Sequence, residues 1–205
     1  MAYHTLYRRY AISNFTVSLL GSLQYTLATD TMLQATGALA GSDTAVVSAG
    51  VNFIGKDLLG QTASLWFMHR IGKYSDRNPT TFFHGMIGLQ QLALGVETLT
   101  FMTTTSVGFL GLAGTANVAK NIAFCGTGAI NARVVSEIIK SDSRDTGEVY
   151  SHITTISSFG SSVGMALGVA GIYICPDPGL RAGIMPVLGL LKYMIMRHGL
   201  KGLYL

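Results

Sequence analysis

Charge is what this sequence has least of. Asp, Glu, Lys and Arg make up only 12% of its 205 residues, about half the ~25% of a soluble domain. That shortfall excludes an ordinary water-dissolved surface. Proline is also scarce, at four residues, so the 25 glycines do not belong to a polar, proline-bearing disordered tract. Cysteine occurs twice, as Cys125 and Cys175, far apart and at no metal-ligand spacing. Both read as small buried hydrophobes. Enzyme signatures are missing: there is no nucleophile elbow, no HExxH and no phosphate-cradling glycine loop. His4, His69, His84, His152 and His198 are scattered and read as solvated or core residues. The expectation is therefore a protein that is not an enzyme, with no catalytic residue, metal or cofactor.

What is present is apolar length. Hydrophobic residues form 49% of the chain, gathered in stretches near 12–38, 45–68, 82–101, 106–135, 153–174 and 182–196. A transmembrane helix needs ~20 mostly apolar residues, so six such segments consume nearly the whole length. The fold class expected is all-α, a polytopic membrane helix bundle of about six transmembrane or membrane-embedded helices forming one domain over 1–205. The fifth stretch, Ile153 to Ile174, carries no charge and is the clearest span. The fourth is long enough to tilt, or to break near Gly108, Gly111 and Gly114. The sixth is short, holds Pro186 and Lys192, and is expected to be either a span or an interfacial or re-entrant segment.

The connections carry the topology signal. Six spans place Arg8, Arg9, Arg70, Lys73, Arg77, Lys140, Arg144, Arg197 and Lys201 on the N-terminal side, with Arg133 and Lys192 at span ends there. Arg181 stands alone opposite. Such asymmetry is the positive-inside pattern, so the N-terminus is expected on a cytoplasmic, matrix or stromal side. The same spread makes the net charge of +4 a topology feature rather than a nucleic-acid patch. Tyr3, Tyr7 and Tyr10, and Trp66-Phe67, fall at expected headgroup levels. The segment before Asp30 has two arginines and no acid, similar to a mitochondrial targeting segment; an uncleaved first span is the preferred reading.

Ionisable residues within spans must find partners or line a polar cavity, since each costs ~2.5–3.5 kcal/mol at the bilayer centre. Lys56 and Asp57 interrupt the second stretch, with Gln61 one turn beyond Asp57. Asn117, Lys120 and Asn121 share one face of the fourth. Asp57 is expected to pair with Lys120 or a neighbouring polar group, the amides completing the bonds. Lys56, Asp57 and Lys120 together leave one positive charge, so the cluster is either a bracket between helices or a site for an anionic ligand. Asp30 and Glu97 read as solvated, near the outer boundary. Gly160, Gly164 and Gly168 make a flat, close-packing face, with Ser157 and Ser161 beside it. Its partner is another span or another protein.

These pieces, in this order, resemble the root UVB-sensitive family of membrane proteins over roughly Ile12 to Ile174. The resemblance rests on Lys56-Asp57-Leu58-Leu59-Gly60-Gln61 and on Ile71-Gly72-Lys73-Tyr74-Ser75-Asp76-Arg77-Asn78-Pro79. It continues through Ala116-Asn117-Val118-Ala119-Lys120-Asn121-Ile122 with Ala132-Arg133, and Ser151-His152-Ile153-Thr154 leading to Gly160 and Gly164. Leu58 stands where the family pattern has Gly, and His152 where it has Gln. The chain looks like a short form lacking the family's further C-terminal domain. The resemblance implies an organellar membrane protein and points to Lys56, Asp57, Asn117, Lys120 and Arg133. It names no reaction. Two functions are expected to compete. One is a non-catalytic accessory subunit of a larger complex, in the mitochondrial inner membrane, with membrane lipids, anionic ones among them, and other membrane subunits as partners. The alternative is a transporter or carrier for a small anionic solute with a midplane charged site.

Overall fold

Inside hydrocarbon a backbone N–H must find its acceptor within its own segment, and long apolar runs meet that demand as helices. The computed structural model describes residues 2–37, 43–142 and 145–201, and among them there is no strand. The elements are α1 (Ala2–Ala35), α2 (Asp43–Arg77), α3 (Pro79–Thr98), a 3-10 turn (Leu99–Met102), α4 (Ser106–Asp142), α5 (Thr146–Ile174) and α6 (Pro178–Gly199). The fold is all-α. Among the described residues α4, α5 and α6 are long and apolar enough to cross a membrane. Arg144 lies outside the described residues, as do the side chains of Tyr3, His4, Lys73 and Asp76.

Local sequence explains where the helices stop and start. Gly37 takes a φ of 67° after α1, a left-handed conformation that closes a helix without a Cβ clash. Pro79 opens α3 and Pro178 opens α6, where the missing N–H costs nothing. The Thr105 hydroxyl accepts the Gly108 N–H at 3.1 Å, and the Asp177 carboxylate accepts the Gly179 N–H at 2.9 Å. Each satisfies an orphan donor of a first turn.

One expected boundary moves, and two open alternatives narrow. The fourth stretch does not break at its glycines but continues to Asp142. The second runs beyond Met68 to Arg77, so the basic connection is helical up to Asn78. The sixth is a continuous helix of 22 residues, with Pro186 inside it. A membrane helix tolerates such a proline when neighbouring groups re-satisfy the freed carbonyl.

The helices alternate in direction. At one end the starts of α1, α3 and α5 meet the ends of α4 and α6, where Tyr10, Phe83, Val134, Val149 and Met196 form one buried cluster. Towards the other end Met32 packs on Phe109 and Ala113. Helix α1 is the hub, touching α3, α4, α5 and α6. This explains why α1 is more polar than a lipid-facing span. Gln24 is fully buried and donates to Gln91 Oε1 at 2.7 Å and to the Met185 carbonyl at 3.3 Å. The Ser18 and Ser157 hydroxyls pair at 2.7 Å, and the Tyr10 hydroxyl donates to Asn131 Oδ1 at 3.1 Å. A helix sheathed in protein can carry hydrogen-bonding groups that lipid would penalise.

Candidate functional site

Six of the in-span charges form three separate groups, each fixed between two or more helices. The first joins α2 to α4. Lys56 Nζ lies 2.7 Å from Asp57 Oδ1, and Lys56 also sits 4.9 Å from the Phe53 ring centroid. Asn117 donates to the Lys56 carbonyl at 2.9 Å and to Asp57 Oδ1 at 3.2 Å. Gly60 makes this approach possible, because a Cβ there would run into the amide groups of Asn117 and Asn121. Asn121 donates to the Asn117 carbonyl of its own helix at 2.9 Å. Lys56 is buried, but the Asp57 side chain is 54% exposed, and Gln61 is exposed beside it.

Lys120 makes the second group, and here the expected pairing with Asp57 is replaced. Its Nζ lies 2.5 Å from both Glu97 oxygens, joining α4 to α3, and 5.0 Å from the Tyr25 ring centroid of α1. Glu97 is not a solvated boundary residue: its exposure is 0%. With Glu97 counted, the positive remainder assigned to Lys56, Asp57 and Lys120 is cancelled. Charge balance was the signal available for it. A cluster one acid short, and one acid elsewhere within a span, point to each other.

Asp30 and Arg181 form the third. Arg181 is buried and its guanidinium bonds the Asp30 carboxylate. It also donates to the Cys175 carbonyl at 2.7 Å and the Pro176 carbonyl at 2.8 Å. The lone cation of the outer side is therefore a tie between α1 and the α5–α6 turn. Asp30 accepts a further bond from Gln34 at 2.7 Å. Its expected solvation gives way to this pairing.

Two further cations stand apart from these three groups. Arg133 is roughly 20 Å along α4 from Lys120 at 1.5 Å per residue, half-buried near the basic end, and does not join the cluster. Lys192, expected at a span end, is inside the bundle with Gln90.

The glycine face meets α1. A Cβ on Gly160 would fall 2.5 Å from the Phe15 carbonyl oxygen, one on Gly164 would collide with the Leu19 carbonyl, and one on Gly168 would lie 2.6 Å from Thr26 Cβ. Backbone lies against backbone along the seam, so the close-packing partner is a span of this same chain.

Chemically these groups neutralise and bracket. The Lys120–Glu97 and Arg181–Asp30 pairs join elements distant in sequence, whereas the adjacent Lys56 and Asp57 are tied to α4 through Asn117. No curated protein matches the chain, and no solved structure does. The sequence model of one family matches residues 4–203, that described as the vitamin B6 photo-protection and homoeostasis domain. The match takes in α1 and α6 as well as the central motifs, beyond the Ile12–Ile174 of the motif resemblance. The chain belongs to the root UVB-sensitive family.

Proposed function

We propose that this protein is a non-catalytic integral membrane subunit that works within a larger assembly. The observation that carries the reading is the half-exposed Asp57 carboxylate midway along α2. Around it Ile54, Leu58, Leu59 and Leu65 are exposed, a surface suited to hydrocarbon or to another helix. A carboxylate facing lipid at that depth would cost several kcal/mol. A neighbouring subunit offering a donor to Asp57 and Gln61 would remove that cost. The internal neutralisation of Lys120 by Glu97 favours this role over a carrier that binds its solute between Lys56 and Lys120. On this reading the assembly sits in an organellar membrane, the mitochondrial inner membrane, with the N-terminus on the matrix side. Its part in the vitamin B6 homoeostasis of the family description is that of a membrane partner rather than an enzyme acting on the vitamer.

The test removes the polar spot without stranding a charge. Lys56→Met/Asp57→Leu replaces both members of the pair, so the isolated helices keep their fold. Full-length wild type extracted in digitonin is expected to migrate as a defined larger complex, and the double variant as the free chain. Wild type migrating alone, or a variant complex of unchanged size, would overturn the reading.

A further inference from the structure

Among the described residues the neutralised pairs leave one buried lysine without a counter-charge. Lys192 of α6 is 4% exposed, and the neutral Oε1 of Gln90, at 2.8 Å, accepts its hydrogen bond. Among the described residues it makes no ion pair. The chain has made room for this ammonium: Gly21 of α1 lies against it, and a Cβ there would sit 3.0 Å from Lys192 Nζ. Burying a cation against an amide alone is unfavourable. An anion brought beside the ammonium would remove that cost.

Lys192 lines a cavity of ≈ 340 Å³, within the range of small-molecule sites. Ser18 and Ser22 of α1, Asn131 of α4, and Ser157 and Ser161 of α5 line it. Phe124 and Met165 also line it and are exposed, so the cavity opens sideways between α4 and α5. Phe83, Ile87 and Met196 add an apolar side. The composition is that of a recognition site, with one cation, several neutral donors and acceptors, and apolar surface for the remainder of a ligand.

We propose that this cavity binds the anionic group, a phosphate or carboxylate, of a small partly apolar ligand. Lys192 supplies the charge, Gln90 orients the ammonium, and the serine and Asn131 side chains bond the polar atoms. Two sources carry that chemistry: a soluble organic anion, or an anionic lipid headgroup reached through the lateral opening. No residue of α2 lines this cavity, so it stands or falls separately from the proposed assembly.

The experiment uses the full chain in nanodiscs, with thermal unfolding as the readout. Phenyl phosphate is the soluble probe, phenol its uncharged control, and phosphatidylglycerol against phosphatidylcholine discs the lipid probe. A rise in Tm with phenyl phosphate and not phenol supports the soluble source. A rise confined to phosphatidylglycerol discs supports the lipid source. In either case Lys192→Met is expected to weaken the effect at least about tenfold in apparent affinity, while its unliganded Tm equals or exceeds that of wild type. Gln90→Glu provides the counter-charge from within and is expected to weaken binding similarly. It decides the matter if the methionine variant does not fold. No rise with either probe, or a rise that survives these substitutions, would overturn the proposal.

Discussion

Lys120 and Glu97 hold each other in the interior of the bundle, the ammonium 2.5 Å from both carboxylate oxygens and the carboxylate wholly buried. The pair bridges the middle of α4 to the end of α3, where the chain passes into the Leu99–Met102 turn. Two opposite charges so placed are one neutral unit, and the consequences of breaking it are asymmetric.

Removing one partner strands the other. Lys120→Met or Glu97→Gln alone is expected to destabilise the protein by about 3–5 kcal/mol, whereas the double variant should recover most of that loss. Unfolding of the purified protein in mixed micelles, run as a double-mutant cycle, measures the coupling. Additive losses would show that the two side chains do not act as a pair.

Arg181 is a different kind of tie because it bonds carbonyls as well as a carboxylate. Arg181→Lys keeps the charge yet cannot reach Asp30, Cys175 and Pro176 together, for an ammonium lacks the planar fork. The loss expected is about 1–3 kcal/mol, together with faster proteolysis at the Cys175–Asp177 turn. Limited proteolysis of the folded variant reads this directly. A cleavage rate equal to wild type would mean the turn is held by other contacts.

The helical class and the close-packing glycines were legible in the sequence because both are written in local spacing. Charge pairing was legible only in part. Charge balance points Lys120 towards Glu97, but choosing between Asp57 and Glu97 requires the packing of α3 against α4, which brings the Glu97 carboxylate to the ammonium. Asp30 read as solvated because it lies near the end of its stretch, and nothing local shows that Arg181, far along the chain, folds over it. Lys192 looked like one more cation of the basic end. Its burial and the packing of Gly21 against its ammonium place it inside. The low hydropathy of α1 has the same origin: a helix surrounded by others is written for protein neighbours, and hydropathy reports neighbours only when they are lipid.

The seam between α1 and α5 should tolerate almost no side chain. A Cβ at Gly164 has the Leu19 carbonyl in its way, which is backbone and cannot rotate aside. Gly164→Ala is expected to cost about 1–3 kcal/mol through forced separation of the helices, and Gly164→Leu to prevent folding. Gly183 of α6, where a Cβ meets nothing within 4 Å, is the control, and Gly183→Ala should lie near wild type. Thermal unfolding of the three variants compares them. Equal changes at both positions would show that the seam makes no special demand at Gly164, since helix propensity alone favours Ala over Gly at either site.

The alternating helices predict where water-soluble reagents can reach. Thr104, exposed beyond the Leu99–Met102 turn, and Lys201, exposed after α6, lie at opposite ends of the bundle. In a background with Cys125→Ala and Cys175→Ala, single-cysteine variants Thr104→Cys and Lys201→Cys can be treated with a membrane-impermeant maleimide on intact mitoplasts. The exposed cations Arg8, Arg70, Arg77, Lys140, Arg197 and Lys201 gather at the second end, and if the proposed location in the mitochondrial inner membrane holds, the positive-inside rule predicts that end in the matrix. Thr104→Cys should therefore label at once and Lys201→Cys only after permeabilisation. The reverse pattern would keep the arrangement of helices and invert its orientation. Labelling of both in intact mitoplasts would mean that the two ends share one face, and that the helices between them do not cross.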